Sequence, residues 1–148
     1  MPIHTSFVVE RPYDEIEIGE TASITKMISE ADIVNFAGII GDFNPVHINP
    51  EYAKTTMFGE RIAHGMLTAS FISTLVGCCI PGVNALYLSQ EVKFVKAVKI
   101  GDTITATAKV IEKIDAKRRV IMETTIVNQH GEVVVAGKAV TMVMKKDY

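Results

Sequence analysis

From His64 to about Ile80 the chain reads as a helix that is apolar on nearly every face, through Met66, Leu67, Ala69, Phe71, Ile72, Leu75 and Val76. A helix with no solvated side has to be surrounded by protein. Its apolar stretch, Met66 to Ile80, is too short to span a bilayer and stops at Pro81-Gly82. It is therefore a buried helix, and much of the remaining chain must cover it. Gly77, inside the run, points to close packing against another backbone or to fraying near the helix end.

The cover is legible downstream. Everything after Asn84 reads as strands: Leu86 to Val95, then Thr103 to Ile111 with Ile104, Ala106, Ala108 and Val110 alternating with polar residues. Lys99 to Asp102 forms a turn and Asp115 to Arg118 a hairpin tip. Val120 to Asn128 returns, His130-Gly131-Glu132 turns again, and Val133 to Met144 is the last strand. Upstream, Thr21 to Ile28 alternates loosely as a first strand. Ser29-Glu30-Ala31-Asp32, a near capping box, opens a helix running to about Gly41. A short helix follows around Glu51 to Thr55, and a loop from Thr55 to Arg61. No linker, repeat or low-complexity stretch divides residues 1–148, so one domain is expected. The order of elements predicts an α+β fold in which a curved antiparallel sheet wraps one central helix.

Composition narrows the function. With 148 residues, 48% hydrophobic and 22% charged, the chain can bury a sizeable core. A net charge of -2 supplies no global attraction for nucleic acid or an anionic membrane. The first ten residues lack the basic and apolar regions of a signal peptide, and the only cysteines, Cys78 and Cys79, are adjacent and poorly placed to bridge. A cytosolic location is expected. The four histidines and the acids show no metal-ligand spacing such as HExxH, and no glycine-rich phosphate loop appears, so neither a metal nor a redox cofactor is expected.

The chemistry concentrates in Gly41-Asp42-Phe43-Asn44-Pro45-Val46-His47. Asp42 lies where an apolar helix should end, and Pro45 keeps Asn44 out of helical angles. Asn49-Pro50-Glu51 then reads as a cap, a first-turn proline and a first-turn acid. Asp42 and His47 thus stand at the two ends of a stiff connector, where a carboxylate and an imidazole can hold one water and move its protons. The same residues also make ordinary turn chemistry, with Asp and Asn bonding their own backbone and His47 satisfied by a carbonyl. Both readings are open on spacing alone.

These residues resemble the MaoC-like hot-dog family, and within it the R-specific 2-enoyl-CoA hydratases. The matching strings are Phe36 to His47, with Ala53 downstream, and Arg61-Ile62-Ala63-His64-Gly65-Met66-Leu67 at the start of the central helix. The likeness covers about Ile18 to Met144; residues 1–17 exceed what a minimal member needs. It implies a hot-dog fold and the reversible hydration of trans-2-enoyl-CoA to (R)-3-hydroxyacyl-CoA. It implies Asp42 and His47 on the catalytic water, and Asn44 fixing the loop. It further implies the Gly65 amide on the thioester oxygen and Ser73 along the acyl pocket. Coenzyme A is then part of the substrate and no separate cofactor is needed. Lys93, Lys96, Lys99 and Arg61 are candidates for its phosphates, although a solvated strand face is the better explanation for any single one. A homodimer is implied, with the active site at the interface, one sheet edge closed by the partner, and Gly65 or acyl-pocket residues drawn from it. His64 is explained as well by a helix cap or core position as by catalysis, and His4 and His130 as tail and turn residues. Two other functions compete: a hot-dog acyl-CoA thioesterase, in which water attacks the carbonyl, and a non-catalytic acyl-thioester-binding relative.

Overall fold

A computed structural model of the chain describes residues 8–146; His4 lies outside them. Five strands form one antiparallel sheet: β1 (Thr21–Met27), β2 (Ala85–Phe94), β3 (Thr103–Ile114), β4 (Arg119–Val127) and β5 (Val133–Val143), in the order β1-β3-β4-β5-β2. Four helices precede β2: α1 (Glu30–Ile40), α2 (Pro45–Ile48), α3 (Pro50–Ala53) and α4 (Gly65–Thr74).

The alternation in the sequence becomes the two faces of the sheet. Ile104, Ala106, Ala108 and Val110 on β3 are buried, and so are Val120, Met122 and Ile126 on β4. They pack on α4, where Leu67 and Ile72 are buried, and on the π-helical turn Leu75–Cys79 that continues it. Together α4 and this turn contact β1 and β2, the outermost strands, as well as β3 and β4. A flat sheet could not reach one helix from both ends, so the sheet is curved around it, the hot-dog arrangement. Each fully buried Leu or Ile contributes roughly 1.5 to 3 kcal/mol by leaving water, which makes this helix–sheet seam the main source of stability.

Some local expectations shift. The central helix keeps α-geometry only to Thr74, and its last turn widens to π before the chain leaves at Ile80. Gly77 lies in that turn with open space where a Cβ would sit, so neither close packing nor a backbone clash explains it. The connector after α1 is not simply extended, because Pro45–Ile48 winds into the short α2. Among the described residues two sheet edges rather than one lack a neighbouring strand, β1 and β2.

Candidate active site

The end of α1 is fixed by sequence. Ser29 accepts from the Asp32 amide while the Asp32 carboxylate accepts from the Ser29 amide, so the box closes despite aspartate at its fourth position. At the far end Gly41 adopts φ 79°, a left-handed angle that glycine tolerates, and its N–H bonds the Ala37 carbonyl at 2.8 Å. The chain therefore turns sharply into Asp42.

From there each polar side chain positions the next. Asp42 Oδ1 accepts from the Asn44 amide at 3.1 Å, and Asn44 Oδ1 caps α2 by accepting from the Val46 amide at 3.1 Å. Asn49 ends α2 and caps α3, accepting from the amides of Glu51 and Tyr52. The turn reading of this motif is thus correct, and it coexists with a site. Asn44 serves as a cap within the loop, in line with its expected role of holding it. Asp42 itself remains solvent-exposed.

His47, on α2, is half-buried, and its Nδ1 lies 2.8 Å from the Ile62 carbonyl. A carbonyl only accepts, so Nδ1 carries the proton and the Nε2 lone pair is left available. Burial is the main cause that pushes His47 below the ordinary 6.5; repulsion from His64 adds to it, while the Ile62 bond and Asp42 oppose it. The acid limb of any activity that uses neutral His47 as a base should therefore fall below pH 6.5. Activity is full above that limb and drops roughly tenfold per pH unit beneath it. A kcat/KM profile with its acid pKa at or above 6.5 would contradict this assignment.

His64, which the sequence left between cap, core and catalysis, is central to the cluster. It is 2% exposed, its Nε2–H donates to the Asp42 carbonyl at 2.9 Å, and its ring stacks on His47 with centroids 3.9 Å apart. Asp42, His47 and His64 each bring an oxygen or nitrogen within 4.8 Å of the others. Because His64 Nε2 holds a proton for Asp42 and its Nδ1 is fully buried, only Asp42 and His47 are free to hold a ligand. Two such groups suffice to grip a water.

Beside the cluster opens a cavity of about 390 Å³, lined by His47 and Gly65 together with Phe58, Ile62, Met66, Thr68, Phe94, Val98, Val135 and neighbours. Its wall is largely apolar, which suits an alkyl chain. Gly65 is the first residue of α4, and no side chain caps that helix, so its first amides face the opening with the positive end of the dipole. One chain thus places His47 and Gly65 on the same cavity, and no second copy is required to supply Gly65. Ser73 is not brought there: it sits on an exposed side of α4, more than two turns from Gly65. Sequence reasoning passed over Thr68, which is buried, lines the cavity and has no partner for its hydroxyl; its spacing of three from Gly65 was the available signal.

The basic candidates separate. Arg61 is spent internally, its Nε on the His47 carbonyl at 2.7 Å and its Nη1 on Glu30 at 2.5 Å, so it braces α2 against α1 rather than meeting a phosphate. Lys96 lies on the cavity rim and pairs with Glu132, Lys99 reaches Glu60 at 3.6 Å, and Lys93 is exposed. His130 occupies the β4–β5 turn.

A family model described as the MaoC like domain matches residues 11–132. The chain belongs to the MaoC-like family. It is 47% identical over 131 residues to an (R)-specific enoyl-CoA hydratase of Rhodospirillum rubrum, covering 88% of this chain and 90% of that protein. Identity to a 3-hydroxybutyryl-CoA dehydratase of Methylorubrum extorquens is 41%, covering 91% and 85%. Among solved structures, the unliganded R-hydratase PhaJ1 of Pseudomonas aeruginosa superposes with a TM-score of 0.87 at 43% identity, over 93% of this chain and 88% of that one.

Proposed function

We propose that this MaoC-like chain hydrates trans-2-enoyl-CoA to (R)-3-hydroxyacyl-CoA, reversibly. The observation that carries the reading is His47, with the Asp42 carboxylate beside it, on an apolar cavity that the uncapped start of α4 also lines. Asp42 takes a proton from a water that His47 Nε2 also holds; the oxygen adds to C3, and the pair returns the withdrawn proton to C2, which leaves both side chains as they began. Charge that develops on the thioester oxygen is met by the Gly65 amide. No metal or separate cofactor enters, since coenzyme A is part of the substrate.

Turnover of crotonyl-CoA with chiral analysis of the product tests the reading. (R)-3-hydroxybutyryl-CoA supports it, release of free thiol favours a thioesterase, and binding without turnover favours a non-catalytic relative.

Gly65 gives a sharper check. A Cβ there would come within 2.7 Å of the Phe94 ring, so any larger residue must push that ring and reshape the cavity wall beside the amide. Gly65→Val keeps the N–H but crowds the approach of the thioester oxygen to it, and should lower kcat/KM by as much as roughly 10² to 10³, the cost of an oxyanion donor that is no longer reached. A variant that folds and retains full turnover would show that the thioester does not approach this position.

The same reading includes a homodimer built on the edge strand β2. Leu86, Leu88, Phe94 and Val95 on and after that strand are exposed, together with Met66 at the cavity rim. An apolar, unpaired edge is normally covered. Light scattering should give at least twice the chain mass, and a strict monomer would count heavily against this assembly. No helix among the described residues is long and apolar enough to cross a membrane. A cytosolic location belongs to this proposal too, supported by the two free cysteines.

A further inference from the structure

We infer that His64 is the positioning residue of this site, tying the backbone of Asp42 to the central helix and clamping the plane of the His47 ring. The inference rests on the hydratase reading for its kinetic consequences, but its structural basis is separate.

His64 occupies the N-cap of α4, a position that favours Ser, Thr, Asn or Asp because their side chains bond the first free amides. Its imidazole makes no such bond and turns away. It reaches the Asp42 carbonyl at 2.9 Å, stacks on His47 at 3.9 Å with 29° between the planes, and meets the edge of Phe36 at 5.1 Å. Three segments are gathered by one side chain: the end of α1, the loop carrying Asp42, and α2.

A packing role alone accounts poorly for this residue. Nδ1 of His64 is buried with no partner, and an unsatisfied buried nitrogen costs stability. Helix capping is forgone as well. An apolar ring here would remove the first cost and a Ser or Asp the second, so the imidazole is explained by what its Nε2–H and its face do together. The bond fixes the main chain from which the Asp42 carboxylate projects. The stack, added to the bond from His47 Nδ1 to Ile62, restricts how the His47 ring can rotate and so where Nε2 aims.

The stack also keeps water from one face of His47, whose displacement below 6.5 comes first from burial. The other charged groups around His47 are Asp42, Arg61 with its partner Glu30, and Lys96 with its partner Glu132. The Arg61–Glu30 and Lys96–Glu132 pairs do not involve the His64 ring, so changing His64 leaves them in place, and Asp42 is the one charged neighbour that it also holds.

Two substitutions separate the bond from the stack. His64→Gln retains a donor close to the position of Nε2 without the ring, and His64→Phe retains the ring without the donor. Both proteins are compared with wild type for kcat, KM and the acid limb, and His47 is titrated by nitrogen-15 NMR. His64→Phe should lose roughly 10- to 100-fold in kcat with KM nearly unchanged, as expected when reacting groups are misplaced by about an ångström. His64→Gln should lose less in kcat, and its His47 titration should move upward. Folded variants with wild-type kcat and an unchanged His47 titration would overturn the inference. Should either fail to fold, wild-type NMR still decides: a slowly exchanging Nε2–H on His64 supports it, and an Nδ1–H tautomer sinks it. A wild type that hydrates no enoyl thioester defeats the functional reading, while the His47 titration continues to judge the role of His64.

Discussion

Asp42→Asn is expected to reduce hydration by roughly 10² to 10⁴ in kcat, the range associated with a positioned acid–base group. The substitution is nearly isosteric, and the amide oxygen of asparagine can still accept the Asn44 N–H that Asp42 Oδ1 accepts at 3.1 Å. The loop should therefore keep its turn, and since the side chain is exposed, the melting temperature should hardly move. Only the capacity to take a proton is removed. Steady-state kinetics on crotonyl-CoA, beside a melting curve, provide the check. Wild-type kcat in a well-folded Asp42→Asn protein would leave the motif with its turn chemistry alone.

A comparable loss is expected for His47→Asn. Asparagine Nδ2 lies near the position of imidazole Nδ1, so the bond to the Ile62 carbonyl, 2.8 Å in the native site, can be kept while Nε2 disappears. The cavity wall loses part of a ring, so some destabilisation accompanies the change, and kcat must be read on protein shown to be folded. Asp42 and His47 act on one water in this mechanism. The double variant should consequently be little worse than either single one, as groups that work as a unit are strongly non-additive. Losses that multiply in the double variant would mean that the two side chains serve separate steps.

The site was partly legible because its local geometry is written in consecutive residues. Gly41 ends α1, Asn44 and Pro45 start α2, and Asn49 and Pro50 start α3. Each of these is a short-range rule linking one residue to a backbone group within four positions. The partners of Arg61 and His64 follow no such rule. Arg61 meets His47 and Glu30 across 14 and 31 positions, and His64 meets Asp42 across 22. Nothing near Arg61 in the chain distinguishes a buried brace from a phosphate ligand. Ser73 shows the converse: its residue type suits a pocket, but its helical phase turns it outward.

The sequence by itself determined the α+β class, the buried central helix, the strands that cover it and the connector carrying Asp42 and His47. Periodicity and turn chemistry act within a few residues and need no knowledge of the rest of the chain. Only the tertiary structure decided that α4 brings His64 beneath His47, that Gly65 and Thr68 face a common cavity, and that β1 and β2 are left as open edges. Those outcomes depend on how the sheet curves around the helix. That curvature is set by the packing of all five strands at once, so no local segment encodes it.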